Sequence, residues 1–216
     1  MKITLTGLLT ALALTFATTF PVQAQPSAGR DYSVIEPAMN TESAAKIEVI
    51  EFFSYGCPHC ADLHPFAANW AAKLPSDVLL KRVPVGFGNP YYQNLAKLYY
   101  SLEALGELAK LDDAVFHAIH QKGLKLIDDK SILDWTTQQG IDAKKFSDAY
   151  RSFGVISKAK RADQMAQAAK IRGVPALVVD GRYLMLNDNI KSHADLLNNT
   201  SKIIETIRSE RKLKKK

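Results

Sequence analysis

Cys57 and Cys60 are the only two cysteines in the 216-residue chain, and only Pro58 and His59 separate them. A pair so spaced has three chemical uses: half of a metal site, a covalent staple, or a reactive dithiol. As a staple it is poor, because closing so short a loop removes little entropy from the unfolded chain. As zinc ligands it is incomplete. Tetrahedral zinc takes four ligands, and no second Cys-x-x-Cys or regular Cys/His constellation accompanies the pair. His117 and His120 could share a helix face, but they read as ordinary helix histidines, and no metal is expected. Redox exchange is the remaining use.

The residues around the pair divide its labour. Pro58 suits the first position of a helix, where no N–H is needed. Cys57 then lies at the helix N-terminus, where free N–H groups and the macrodipole favour an anion and lower a thiol pKa. Cys60 continues as Leu63, Ala67, Trp70 and Leu74 at helical spacing, so it is expected to be the sheltered partner. His59 places an imidazole in the first turn, able to donate to the Cys57 sulfur or attract it as a cation. Stabilising the thiolate stabilises the reduced protein and makes its disulfide more oxidising. Glu51 stands on the strand that leads into the pair. It is either a proton acceptor near Cys60 or a strand carboxylate that reaches solvent or a lysine. Burial is expected to raise its pKa.

These residues need a scaffold. Lys46 to Phe53 alternates, with Ile47, Val49, Glu51 and Phe53 on one face and Ile50 and Phe52 on the other, as in a central strand. Gly56 breaks it, and the helix from Pro58 follows, bent at Pro65. Val78 to Val85 reads as a second strand, interrupted by Pro84. The stretch 89–161 reads as helices: one opening at Asn89-Pro90 and carrying Leu95, Leu98 and Leu102, one around Val115, Phe116 and Ile119, then 128–139 and 142–151 with Asp caps. A further helix is expected from Val155 to Arg172, with Gly173 at its C-cap. Strands 176–179 and 182–186 flank Asp180-Gly181, a strong hairpin signal. Ser192 to Asp195 resembles a capping box opening a last helix through Ile207. The order is that of a small α/β sheet with helices inserted after its second strand.

Composition bounds the rest. One early charge, Lys2, precedes an uncharged run that ends Pro21-Val22-Gln23-Ala24. Residues 1–24 read as a secretory signal peptide cut after Ala24, with an uncleaved anchor as the alternative. About 190 residues remain, the size of one domain with an insertion. Residues 25–46 read as a short polar arm. The formal charge is +6, and much of it sits in the tail from Arg208 to Lys216. Basic charge after a helix, without interleaved aromatics, reads as helix-end charge and a solvated tail, so no nucleic-acid partner is expected.

Three segments, Glu51-Phe52-Phe53-Ser54, Cys57-Pro58-His59-Cys60 and Arg172-Gly173-Val174-Pro175-Ala176, together resemble the DsbA family of the thioredoxin superfamily. The likeness runs from about residue 30 to 210, and Pro65 matches the wider superfamily. The resemblance implies a thioredoxin fold with an inserted all-helical domain, dividing the chain into a thioredoxin-like domain of 25–86 and 155–216 and an insertion of 87–154. It implies a cis Val174–Pro175 bond beside the dithiol, with Val174 offering its backbone to an extended substrate peptide. It implies a protein dithiol-disulfide oxidoreductase without a cofactor. Such an enzyme passes a Cys57–Cys60 disulfide to unfolded, newly exported proteins with free thiols in the periplasm. It acts as a monomer, and a quinone-linked membrane protein of the DsbB type reoxidises it. The chain departs from the family at Asp62 and His64, where a glutamate ordinarily joins a buried charge cluster, and in the loop Gly86-Phe87-Gly88. A reductase or isomerase on the same fold is the nearest alternative. Isomerases usually add an N-terminal dimerisation domain, and only about 20 residues separate the expected cleavage site from the first long strand. Val174 and His59 also favour the oxidase. A non-catalytic binding module, a chaperone or metal carrier, would keep its function in a Cys57→Ser variant.

Overall fold

The computed structural model describes residues 25–185 and 192–213. The leader expected at 1–24 and the end of the expected strand at Leu186 lie outside them. Among the described residues are five strands and seven α-helices.

The seven residues of β2, Ile47–Phe53, are all buried, as a β-branched and aromatic run in the middle of a sheet requires. Helix α1, Pro58–Ala71, follows and continues through Pro65. β3, Val78–Pro84, pairs parallel to β2. Pro84 does not interrupt this strand as expected. It is the last residue of an edge strand, where a missing N–H is tolerated.

Helices then fill the chain up to β4. They are α2, Pro90–Ala104, α3, Leu108–Phe116, α4, Asp129–Gln138, α5, Ala143–Tyr150, and α6, Phe153–Ala168. A π-helical turn, His117–Gln121, extends α3 directly. The expected caps are in place: Asn89 accepts from the Tyr91 N–H, Asp128 from Ser131 and Asp142 from Lys145. The far end of α6 is a correction. The helix stops at Ala168, and Lys170 (φ 56°), not Gly173, takes the left-handed position. The Ile171 N–H closes back onto the Ala166 carbonyl at 2.9 Å. This turns Ile171 into the core and sends 172–174 toward Pro175.

β4, Ala176–Val179, and β5, Tyr183–Met185, form the expected hairpin. Asp180 and Gly181 both have positive φ, as a type I′ turn demands. Helix α7, His193–Leu213, closes the chain, and Ser192 Oγ accepts from the Asp195 N–H at 3.1 Å. The arm at 25–46 holds a strand that the sequence reading lacked: β1, Tyr32–Val34, pairs antiparallel with β5. Three residues with one exposed valine carry no readable period, and β1 is fixed by its neighbours, with Tyr32 set edge-on against Tyr183.

The sheet order is β1-β5-β4-β2-β3. Ile47, Val49, Leu177 and Val179 pack against Leu63 and Ala67 of α1 and Leu196, Ile203, Ile204 and Ile207 of α7. Ile50, Phe52 and Val178 belong to the larger core shared with α2, α3 and α6.

Candidate redox site

β2 delivers the chain to the site, and β4 brings the second half. In their antiparallel register Phe52 faces Ala176, so Val174 and Pro175 fall beside the turn that leaves β2. The Val174–Pro175 bond is cis. The Cys57 Sγ–H donates to the Val174 carbonyl oxygen at 3.3 Å. Residues 117 positions apart thus meet at one sulfur.

Cys57 is the N-cap of α1, with Pro58 in the first turn behind it. Both cysteines are thiols here; Cys57 is half-buried and Cys60 fully buried. The Cys57 pKa is lowered to about 6. The hydrogen bond from the Cys60 thiol contributes most, opposed by burial, and the backbone N–H groups of Cys60 and His59 assist. The charge of His59 is the smallest of these causes. The imidazole itself is exposed, so His59 acts on the sulfur chiefly through its peptide N–H. Cys60 moves the other way. Burial raises its pKa first, then the Cys57 sulfur, and Glu51 adds to the rise. One sulfur is presented as an anion and its neighbour is kept protonated.

Glu51 is buried but reaches neither solvent nor a lysine. One of its oxygens accepts from the Arg82 Nε at 3.0 Å, and the other has no protein partner. The guanidinium also bonds Asp112 of α3 and lies 4.0 Å over the Phe53 ring. Burial works against the charge on Arg82, but Glu51 and then Asp112 hold its pKa above the ordinary value. Asp112 accepts from the Tyr55 hydroxyl at 2.6 Å. His64 lies between Asp112 and Asp113, with its Nε2 at 3.6 and 2.5 Å from their oxygens. Asp62 is exposed and takes no part. The buried charge cluster thus extends beyond Glu51 by a different set of residues.

Arg82, Asp112, Tyr55 and His120 join the site although the sequence alone does not mark them as site residues. Arg82 had one readable signal, an arginine in an apolar strand whose register sets it beside Glu51. Asp112 had none, because only the packing of α3 brings it there. His120 is no ordinary helix histidine: its Nε2 bonds the Tyr55 carbonyl oxygen at 2.7 Å. No cluster of three or more His, Cys, Asp or Glu side chains suited to a metal occurs among the described residues.

A DSBA-like thioredoxin domain matches residues 61–198. The chain belongs to the DsbA-like thioredoxin family. Curated relatives named thiol:disulfide interchange protein DsbA include one from Bordetella parapertussis, 44% identical over 181 residues, covering 84% of this chain and 86% of the relative. One from Burkholderia cepacia is 38% identical over 184 residues, covering 85% and 86%. Among solved structures, Pseudomonas aeruginosa DsbA superposes with a TM-score of 0.82 at 31% identity, covering 87% of this chain and 97% of that one. The Xylella fastidiosa oxidoreductase DsbA gives 0.80 at 28% identity, covering 86% and 100%. The fold is therefore the thioredoxin-like DsbA fold, and this DsbA-family chain is a disulfide-forming thiol:disulfide oxidoreductase. The reductase or isomerase alternative is not favoured. No helix among the described residues is long and apolar enough to cross a membrane.

Proposed function

We propose that Cys57 and Cys60 are the redox centre and that their disulfide is donated to unfolded, newly exported proteins in the periplasm. The observation that carries this reading is the opposition between the two sulfurs. The half-buried sulfur at a helix N-terminus has a pKa of about 6, and its buried partner is raised.

A substrate thiolate attacks Cys57 Sγ, forming a mixed disulfide and breaking the Cys57–Cys60 bond. Cys60 leaves with the electron pair and takes up a proton. Glu51 relays that proton from water to the Cys60 sulfur through the oxygen that has no protein partner, and remains the carboxylate paired with Arg82. A second substrate thiolate attacks its own sulfur in the mixed disulfide and expels Cys57. The substrate has lost two electrons and gained a disulfide, and the Cys57–Cys60 pair has gained both. A low-pKa thiolate leaves fast, and at neutral pH about nine-tenths of a thiol of pKa near 6 is ionised. Pro58 starts the helix whose N–H groups hold that charge, and His59 adds its own N–H. Val174 and Pro175 offer backbone to an extended substrate segment, by strand addition. A quinone-linked membrane oxidant of the DsbB type restores the disulfide. Residues 1–24 direct export and are removed. Residues 25–86 and 155–216 form the redox domain and 87–154 the inserted helical domain, in a protein that works as a monomer without a cofactor.

Equilibrating the protein with a glutathione series, read by thiol alkylation, tests this. The expected disulfide is reduced by small amounts of glutathione, with a potential far above the roughly −270 mV of thioredoxin. Cys57→Ser should abolish disulfide transfer. A disulfide that survives to the thioredoxin range would overturn the donor role.

A further inference from the structure

Cys57 is reached through a β-turn. Its N–H donates to the Ser54 carbonyl at 3.1 Å, making Tyr55 and Gly56 the central residues. The peptide between them can face either way in such a turn. Type I and type II differ by a flip of this peptide, and type II requires positive φ at the third residue, which glycine accepts without steric cost. Gly56 is required here for a different reason. A Cβ at this position would lie 2.7 and 2.8 Å from the rings of Tyr91 and Tyr92 in α2. Close packing thus enforces the one residue that leaves the turn free to flip. Gly56 nevertheless keeps φ out of the positive range.

Both sides of the central peptide are held: Ser54 Oγ accepts from the Gly56 N–H at 3.3 Å, and one stripe of α3 with its π turn holds the other side. Asp112, Phe116 and His120 recur every fourth residue, and all three grip Tyr55. Asp112 accepts from its hydroxyl at 2.6 Å. Phe116 meets its ring edge-on, with centroids 4.9 Å apart. His120 Nε2 lies 2.7 Å from its carbonyl oxygen. That oxygen belongs to the central peptide of the turn. A carbonyl only accepts, so the proton resides on Nε2. The Phe116 and His120 rings stack, with centroids 6.2 Å apart. π turns inside helices often mark functional positions.

We propose that Asp112, Phe116 and His120 clamp Tyr55, and that His120 is a positioning residue that locks the central peptide of the turn feeding Cys57. With the carbonyl flipped away from His120, Cys57 would lose its fixed place at the start of α1, and the N–H groups aimed at its sulfur would lose their alignment. This rests on Cys57 being the exchanging sulfur.

The test compares wild type, H120L and H120Q. Leucine fills the space without a donor, and glutamine places an N–H near Nε2. Thiolate absorbance of the reduced proteins is titrated against pH, and the glutathione equilibrium of each is measured. H120L should raise the Cys57 pKa from about 6, making the thiolate roughly tenfold less favoured, and should make the disulfide harder to reduce. H120Q should titrate close to wild type. A wild-type thiol titrating near an ordinary 8.5 would overturn the Cys57 role itself. A wild-type value near 6 that H120L leaves unchanged would overturn the clamp alone. Should H120L fail to fold, the ring-nitrogen resonances of wild type decide. A neutral His120 protonated on Nε2 supports the clamp, and one protonated on Nδ1 overturns it.

Discussion

The two halves of β2 present the same alternation to different neighbours. Ile47 and Val49, in its first half, meet an aliphatic layer from α1 and α7. Glu51 and Phe53, two and four residues further on, meet Arg82, with Asp112, Tyr99 and Phe116 around it. The first half holds the sheet together by removing apolar surface from water. The second buries charge, which costs free energy unless every ion is paired and hydrogen-bonded. The strand is a foundation at one end and an electrostatic frame at the other, and the frame stands beneath the dithiol.

The sharpest way to break this comparison is to remove the cation at the centre of the frame. Arg82→Ala leaves Glu51 and Asp112 facing each other without a counter-charge and takes the guanidinium from the Phe53 ring. Truncating one partner of a buried pair typically costs about 3–5 kcal/mol, and denaturant unfolding of the oxidised protein should show a loss of that order. The Cys57 titration should move as well, since Cys57 is held by the Cys60 thiol and Glu51 is among the causes of the raised Cys60 pKa. A stable variant with an unchanged titration would mean that the frame is only a way of filling space.

The matching experiment at the other end is Ile207→Ala. Ile207 is buried against the aliphatic layer, and an isoleucine-to-alanine truncation in a core costs about 2–5 kcal/mol. Here the Cys57 titration should stay where it is in wild type. If the thiolate pKa moved with Ile207, the two ends of β2 would not be separable, and the division of labour would fall.

The same division explains what the sequence could reveal. The foundation was legible because burial imposes period: β2, α1, the hairpin and α7 all carry apolar repeats or turn residues that announce them. The dithiol was legible because its chemistry is local, with Cys57, Pro58, His59 and Cys60 spanning one turn of helix. The frame was not. Glu51 could be recognised as a carboxylate in an apolar strand, but its partner comes from β3, the next from α3, and no local pattern links residues 51, 82 and 112. Tyr55 looks like any core aromatic until the positions of its hydroxyl and carbonyl are known. β1 and the end of α6 escaped for a related reason. Three residues give no period, and the left-handed position that glycine usually announces is held at Lys170 by tertiary packing around Ile171.

The gentlest test uses pH alone and reads the two redox forms against each other. The Cys57 pKa is about 6 in the folded dithiol and returns to roughly 8.5 on unfolding. Because the folded value is the lower one, the unfolded chain binds more protons between these two pH values, and stability rises with pH there. The contribution is fully present above the unfolded pKa and is lost as pH falls through the folded one. Cys60 acts with the opposite sign at the upper end: burial keeps it protonated in the folded dithiol, whereas in the unfolded chain it ionises near roughly 8.5, so its effect lowers stability as pH rises past that value. The oxidised protein has neither titration, whereas the other carboxylates and histidines are common to both forms. Unfolding free energy measured on both forms from pH 5 to 9 should therefore show reduced minus oxidised stability climbing through the window. The difference should be level at the acid end and turn down above roughly pH 8.5, where the unfolded Cys60 ionises. A flat difference would mean that the helix N-terminus does not hold the Cys57 charge, and the second half of β2 would then frame the dithiol without tuning it.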